Sequence, residues 1–163
     1  MPESQEMEQQ RKKARYQRIY SQLEDLLAKS DDSDARMATI VAVLHHKMEA
    51  YFWTGFYCLK NNELIVKTYQ GPVACQVLEK DKGDCWAGIH QGKSIIVPDV
   101  HLFPDHIACD SRSESEIVVP LKDTKDRIIG VLDVDSSTLN SFDQIDADYL
   151  EKIVSLVFQK SED

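Results

Sequence analysis

Helical periodicity is confined to the two ends of this sequence, and strand-forming residues fill most of the space between them. Apolar residues recur at helical spacing over residues 11–29, 33–50 and 143–159, which predicts two amphipathic helices before the strands and one after them. Ser33 or Asp34 is the predicted cap of the second helix. Five strands are predicted, over residues 51–59, 63–69, 94–97, 116–121 and 127–135. A short helix is predicted over residues 86–91, between the second and third of these strands. Helices around a mostly antiparallel sheet indicate an α+β sandwich.

The size and charge of the chain limit its organisation and its partners. With 163 residues there is room for one domain with a single core, which we expect at residues 11–160, after a polar tail at 1–10 that is disordered or frays. A net charge of −9 without a long basic stripe argues against nucleic acid as a partner. No apolar run approaches the roughly 18 residues of a membrane span and no signal peptide is evident, so we expect a cytoplasmic protein that binds no membrane.

Three of the four cysteines, Cys75, Cys85 and Cys109, fall within residues 71–121. Each stands beside a backbone breaker or a small polar residue, which predicts a loop position where thiols reach solvent and one another. A thiol oxidised to sulfenic acid needs a second thiol to form a disulfide that a reductant later opens, so the cluster indicates redox chemistry. Cys58 lies in an aromatic strand, where free cysteine normally packs as a small hydrophobe.

Two other interpretations of these cysteines stay open. His106 and Arg112 flank Cys109 and favour its thiolate, but nearby acids oppose it, so a loosely packed loop thiol explains Cys109 as well as a nucleophile does. A zinc site in this region lacks the close paired spacing of zinc ligands, so we expect neither a metal nor another cofactor. The ligands considered for such a site are Cys85, His90, His101, His106 and Cys109.

Acidic residues stand at the ends of two apolar strands. Asp133 and Asp135 alternate onto one face of the last strand, and Glu116 opens the strand before it. Repulsion and desolvation make at least one of two such neighbouring carboxylates hold a proton near neutral pH, as a proton donor must. A polar strand end that runs into a turn is the simpler interpretation of these acids. Trp53 and Tyr57 project from one face of the first strand, either as core residues or as a wall for a ligand.

The motifs GPVAC, GDC, VPDVHLFPDHIACDS, SEIVVPL and GVLDVDS follow one another with the spacing of a known family. Over residues 51–142 the chain resembles the free methionine-(R)-sulfoxide reductases, which are single-domain enzymes of the GAF fold with an antiparallel sheet flanked by N- and C-terminal helices. The resemblance implies reduction of free methionine-(R)-sulfoxide to methionine, with thioredoxin as the usual reductant. It also suggests a homodimer in which the N-terminal helix is a contact.

The resemblance further implies a role for each candidate residue. Cys109 looks like the nucleophile that becomes a sulfenic acid, Cys75 like the main resolving thiol, and Cys85 like an alternate resolver or relay. An acidic cluster is implied to bind and protonate the sulfoxide oxygen and to hold the substrate amine, beside an aromatic side of the pocket. These substrate-binding residues are Glu116, Asp133, Asp135, Trp53 and Tyr57.

One position departs from the family pattern. Trp86 follows Cys85 where the family has a small glycine, and Asp84 precedes it, so a bulky indole is expected to alter how the Cys85 segment closes. Two other functions suit the same fold: a GAF-type sensor that binds a small ligand without chemistry, and a thiol-based redox switch. Such sensor modules commonly serve an attached output domain, whereas here we expect the fold to occupy the chain.

Overall fold

The computed structural model describes residues 2–106 and 109–159 and shows a six-stranded sheet flanked by helices. The helices are α1 (Pro2–Leu27), α2 (Ser33–Lys47), α3 (Gly83–Gln91) and α4 (Gln144–Val154). The strands are β1 (Trp53–Lys60), β2 (Glu63–Gln70), β3 (Val77–Leu78), β4 (Ile95–Val97), β5 (Ser115–Lys122) and β6 (Ile128–Ser136). The predicted α+β fold, with N- and C-terminal helices flanking an antiparallel sheet, is confirmed.

The sheet is antiparallel, in the order β3-β2-β1-β6-β5-β4, so β6 inserts between β1 and β5. The β1–β2 hairpin turns at Asn61 and Asn62, whose φ angles of 53° and 65° suit a tight two-residue turn that asparagine tolerates. β5 and β6 are buried on both faces, which explains why they are almost continuously apolar. The end of β6 therefore lies beside the starts of both β1 and β5.

Two apolar clusters cover opposite faces of the sheet. The larger cluster joins α1, α2 and α4 to the sheet through fully buried side chains such as Tyr16, Leu44 and Leu150. The smaller cluster lies under α3 and contains Trp53 and Tyr57. Alternating residues of β5 and β6 point into one cluster or the other, as the pleat requires. The α3 face is the one that receives the cysteine-bearing segments.

The first helix begins earlier than the sequence predicts. α1 starts at Pro2, so residues 2–10 are helical where the sequence analysis expects a tail that is disordered or frays, and Met1 lies outside the described residues. Residues 2–10 have no apolar stripe, but Glu, Gln, Lys and Arg have high intrinsic helix propensity. They therefore extend a helix whose later turns pack against the core. No helix among the described residues is long and apolar enough to cross a membrane. The domain limits 11–160 stay a prediction, and residue 160 is not described.

Three local features also differ from the prediction. Asp32, not Ser33 or Asp34, caps α2 by accepting a hydrogen bond of 2.8 Å from the Ala35 N–H. The two-residue strand β3 on the edge of the sheet was too short to give a sequence pattern. α3 begins at Gly83 rather than at residue 86, so Cys85 lies in the first turn of a helix and not on a loop.

Candidate active site

Cys75 and Cys109 form a disulfide, with their Cα atoms 5.5 Å apart. Cys75 lies between β2 and β3, and Cys109 lies before β5, so the bond joins segments 34 residues apart in the sequence. Cys109 is exposed and Cys75 is half-buried. A disulfide at the surface can be reached by an external dithiol, so this pair is able to cycle between two redox states.

The disulfide lies against a small cavity of about 30 Å³ on the α3 side of the sheet. The cavity is lined by Tyr57, Leu78, Lys82, Gly83, Asp84, Cys85, Cys109, Glu116 and Asp133. A wider cleft of about 520 Å³ lies between α4 and the β5–β6 turn, but its lining contains no thiol and none of the predicted site residues. We place the candidate site at the small cavity because thiols, acids and an aromatic ring converge there.

Strand register brings the predicted acids together. Glu116 on β5 is directly opposite Asp135 on β6, and Asp133 lies two residues earlier on the same face of β6. On the other side of β6, Asp135 is opposite Trp53 of β1. The pairing of the three strands therefore assembles one row of functional groups from distant parts of the sequence.

Burial makes this acidic cluster hold protons. Glu116 and Asp133 are 4% and 5% exposed, and each has a buried carboxylate oxygen without a hydrogen-bond partner among the described residues. Burial first, and then the charge of Asp133, raises the pKa of Glu116 well above its usual range. Burial raises the pKa of Asp133 to about 6. Burial and the charge of Asp133 also raise the pKa of Asp135. The cluster can therefore carry a proton near neutral pH, as a proton donor requires.

Asp84 is a fourth acid of the cluster, and sequence reasoning did not place it in the site. Its Oδ1 lies 3.3 Å from Nδ1 of His106, and its side chain is buried in the first turn of α3. Burial alone raises the pKa of Asp84, but hydrogen bonds with Glu116 and His106 outweigh it and lower the pKa. The hydrogen bond that Asp84 accepts from His106 raises the pKa of His106, which favours an ion pair. No spacing rule connects residues that are 22 positions apart, so only the fold reveals this contact.

Trp53 and Tyr57 form an aromatic wall beside the acids. Their rings stack with centroids 5.7 Å apart. The Tyr57 hydroxyl donates a hydrogen bond of 3.0 Å to the backbone carbonyl of Cys75, which connects the wall to the disulfide. A Cβ atom on Gly55 would lie 2.5 Å from the Trp53 ring and 2.5 Å from the Cβ of Tyr69, so only glycine allows this close approach. The wall therefore depends on a glycine that sequence reasoning did not single out.

All eight predicted site residues come together in the structure. Five of them line the cavity: Tyr57, Cys85, Cys109, Glu116 and Asp133. The other three lie directly behind these, because Cys75 is bonded to Cys109, Asp135 is opposite Glu116, and Trp53 stacks on Tyr57. Their individual roles stay predictions.

Cys85 differs from the other two cysteines of the site. It is a free thiol, 5% exposed, in the first turn of α3. Burial, followed by the charges of Asp133 and Asp84, raises the pKa of the Cys85 thiol well above its usual value, which disfavours the nucleophilic thiolate. Trp86, the departure from the family pattern, is buried and stacks on His90 at 5.6 Å, and it is not among the residues that line the cavity.

The histidines do not gather around the cysteines as a zinc site needs. His90 pairs with Asp81 at 2.8 Å and His101 pairs with Glu114 at 3.3 Å, both at exposed positions. Within residues 2–106 and 109–159, three groups bring possible ligand atoms within 4.8 Å of one another: Asp84, His106 and Glu116; Cys85, Glu116 and Asp133; and Asp99, His101 and Glu114. None of them combines the five ligands that the sequence suggested.

Comparison with known proteins identifies the family. Residues 25–158 match the GAF domain family. The chain is 44% identical to GAF domain-containing protein A of Dictyostelium discoideum, over 96% of this chain and 99% of that protein. It is 37% identical to the free methionine-R-sulfoxide reductase of Escherichia coli, over 74% of this chain and 73% of that protein. The free methionine-R-sulfoxide reductase of Neisseria meningitidis in complex with its substrate superposes with a TM-score of 0.86 at 39% identity, covering 92% of this chain and 90% of that one. The chain therefore belongs to the GAF domain family and, within it, to the free methionine-R-sulfoxide reductases, which are oxidoreductases.

Proposed function

We propose that this protein reduces free methionine-(R)-sulfoxide to methionine, with Cys109 as the nucleophile. The observation that carries the proposal is the Cys75–Cys109 disulfide, which lies over a cavity lined by buried acids that hold protons. This is the state expected after one turnover, when methionine has left and two thiols have been oxidised. A cavity of about 30 Å³ has room for roughly two water molecules, so a substrate enters only after the disulfide opens.

The proposed reaction uses two thiols and one proton donor. The Cys109 thiolate attacks the sulfoxide sulfur while the Glu116 carboxyl group protonates the oxygen. The sulfur of methionine is reduced by two electrons and leaves, and Cys109 is oxidised to a sulfenic acid that keeps the oxygen. The Cys75 thiol then attacks the Cys109 sulfur, the disulfide forms, and the oxygen departs as water. A dithiol protein of the thioredoxin class reduces the disulfide and restores both thiols.

The remaining site residues are proposed to bind the amino acid. Asp133 and Asp135 carry negative charge when ionised and suit the α-ammonium group of a free amino acid. Trp53 and Tyr57 present stacked rings against which the thioether and its side chain pack. Cys85 is proposed only as a secondary thiol, because its burial and raised pKa require α3 to move before it can react.

We also propose a cytoplasmic homodimer that uses thioredoxin. The apolar face of α1 packs inside its own subunit, through residues such as Ile19 and Leu23, whereas residues 3–11 are exposed and remain available to a second copy. Light scattering coupled to size-exclusion chromatography measures the mass directly. A monomer at all concentrations up to the millimolar range contradicts this part of the proposal.

A coupled assay tests the function. Thioredoxin, thioredoxin reductase and NADPH are supplied with free methionine-(R)-sulfoxide or its S epimer, and NADPH oxidation is followed. We expect turnover with the R epimer only, loss of activity in Cys109→Ser, and normal activity in the control Cys58→Ser, whose thiol packs with the cluster on the other face of the sheet. No NADPH consumption above background refutes the proposal. If the disulfide still forms with peroxide under those conditions, the redox switch is the better account.

A further inference from the structure

Reduction of the disulfide removes the covalent bond that holds Cys109. In the reduced enzyme, noncovalent contacts of the neighbouring residues must keep this thiol at the cavity. On the C-terminal side of Cys109, the exposed Arg112 guanidinium pairs with Asp110 of the same segment at 2.7 Å and 2.9 Å and lies 4.9 Å from the centre of the Phe52 ring. On the N-terminal side, the His106 side chain reaches α3 beside the cavity.

The contact between His106 and α3 is shielded from solvent, and it becomes a pair of opposite charges when the imidazole is protonated. His106 Nδ1 is 3.3 Å from Asp84 Oδ1, and the two side chains are 14% and 6% exposed. Hydrogen bonds between ionised groups are stronger than neutral ones, and a partly buried pair is less screened by salt than a surface pair. The second ring nitrogen of His106 and the second oxygen of Asp84 are buried without a hydrogen-bond partner among the described residues. His106 therefore depends strongly on Asp84, which also has a hydrogen bond with Glu116.

The position of the pair connects it to the nucleophile. His106 stands three residues before Cys109, so the chain keeps their Cα atoms within about 11 Å of each other. Asp84 lines the same cavity as Cys109 and Glu116. We propose that the Asp84–His106 ion pair positions Cys109 over the acidic pocket when the disulfide is open. Both are positioning residues, and the proposal rests on the proposed role of Cys109 as the nucleophile.

Charge around the pair sets its pH range. Among residues 2–106 and 109–159, the charged groups that act on His106 are acidic: Asp84 on α3, Glu116 on β5 and Asp133 on β6. Asp84 raises the pKa of His106 above its ordinary 6.5, so the imidazolium persists toward neutral pH. Above that pKa the imidazole is neutral and holds Asp84 less strongly. The advantage of the wild type over a His106→Asn variant should therefore shrink as the pH rises from 6 to 9.

Asp84→Asn tests the pair, with Asp81→Asn as its matched control. Asp81 forms an exposed ion pair with His90 at 2.8 Å, so the control removes a similar contact from the surface. The first readout is kcat/KM of the pre-reduced enzyme for free methionine-(R)-sulfoxide. The second needs no substrate: it is the effective concentration of the Cys75–Cys109 pair, measured by equilibrating the disulfide with glutathione. At pH 6.5 we expect Asp84→Asn to lower both about tenfold, equivalent to about 1.4 kcal/mol, and Asp81→Asn to change neither.

Three further comparisons separate positioning from a general loss of structure. Asp84→Glu should restore part of the lost activity, and the double variant with His106→Asn should be no worse than either single variant. The proposal is overturned if the losses of kcat/KM in the two single variants add in the double variant. It is also overturned if the effective concentration in Asp84→Asn stays within twofold of the wild-type value. If Asp84→Asn does not fold, the same measurements are made on His106→Asn. If the wild type shows no sulfoxide turnover but the effective concentration still falls tenfold, the ion pair stands and the proposed function fails.

Discussion

Asp133→Asn should make the disulfide form of this protein more stable at pH 8 but not at pH 4. Asp133 is 5% exposed, and burial raises its pKa from 3.8 to about 6. Because the folded state binds this proton more tightly than the unfolded chain does, the contribution of Asp133 to stability is complete below about pH 4 and is lost as the pH rises through 6. A difference of roughly two pKa units corresponds to about 3 kcal/mol. Asparagine keeps the shape of the side chain and cannot ionise, so it avoids this loss.

Urea unfolding of both proteins, followed by tryptophan fluorescence at several pH values between 4 and 8, measures the effect. The free energy of unfolding of Asp133→Asn should match that of the wild type near pH 4 and exceed it by about 3 kcal/mol at pH 8. Asp126→Asn removes an exposed carboxylate from the β5–β6 turn and is the control. A difference that stays constant with pH, or a wild type that is the more stable protein at pH 8, shows that the folded protein does not raise the pKa of Asp133.

Two further predictions concern the proposed reaction. Cys75→Ser should release about one equivalent of methionine in rapid-quench experiments and then stall, because the buried Cys85 thiol resolves the sulfenic acid only slowly; full steady-state turnover instead assigns the resolving role to Cys85. Glu116→Gln should lower kcat/KM by roughly 10²–10⁴-fold. The wild-type value should fall as the pH rises above the raised pKa of Glu116, since the protonated form is active, and this fall should be absent in the glutamine variant. Wild-type rates in Glu116→Gln exclude it as the proton donor.

Local patterns in the sequence predict most of the fold. Helical periodicity finds the packed parts of α1, α2 and α4, and the apolar runs find β1, β2, β4, β5 and β6. The start of α3 was missed because Gly83 and Asp84 are typical turn residues, whereas packing of α3 on the sheet makes them helical. The start of α1 was missed for the opposite reason: residues 2–10 have the propensity for a helix but no apolar stripe.

The site depends on distances that no local pattern contains. Strand alternation places Asp133 and Asp135 on one face, but the position of Glu116 opposite Asp135 requires the register of β5 and β6. The residues on their own left the partner of Cys109 open, and the family resemblance pointed to Cys75. Neither the residues nor the resemblance indicated Asp84, which reaches the acids only because α3 begins early enough to direct it into the cavity.

The charge balance of the pocket also bears on its proposed substrate. Buried acids that ionise need a cation, and the described cations near the cavity already have partners: His106 pairs with Asp84, Lys82 with Glu79 at 3.0 Å, and Arg112 with Asp110 at 2.7 Å. A ligand that brings its own ammonium group supplies the missing charge, whereas the amide nitrogen of a peptide-bound methionine sulfoxide does not.

N-acetylmethionine-(R)-sulfoxide is therefore expected to be a poor substrate. Loss of one partner from a buried ion pair costs about 3–5 kcal/mol, so its kcat/KM should be lower by roughly 10²–10⁴-fold than that of the free amino acid. Asp135→Asn should bring the kcat/KM values of the free and acetylated sulfoxides closer together, because it removes a carboxylate that the ammonium group would neutralise. Equal rates for the free and acetylated sulfoxides in the wild type mean that the acidic cluster serves the sulfoxide oxygen alone and does not recognise the amine.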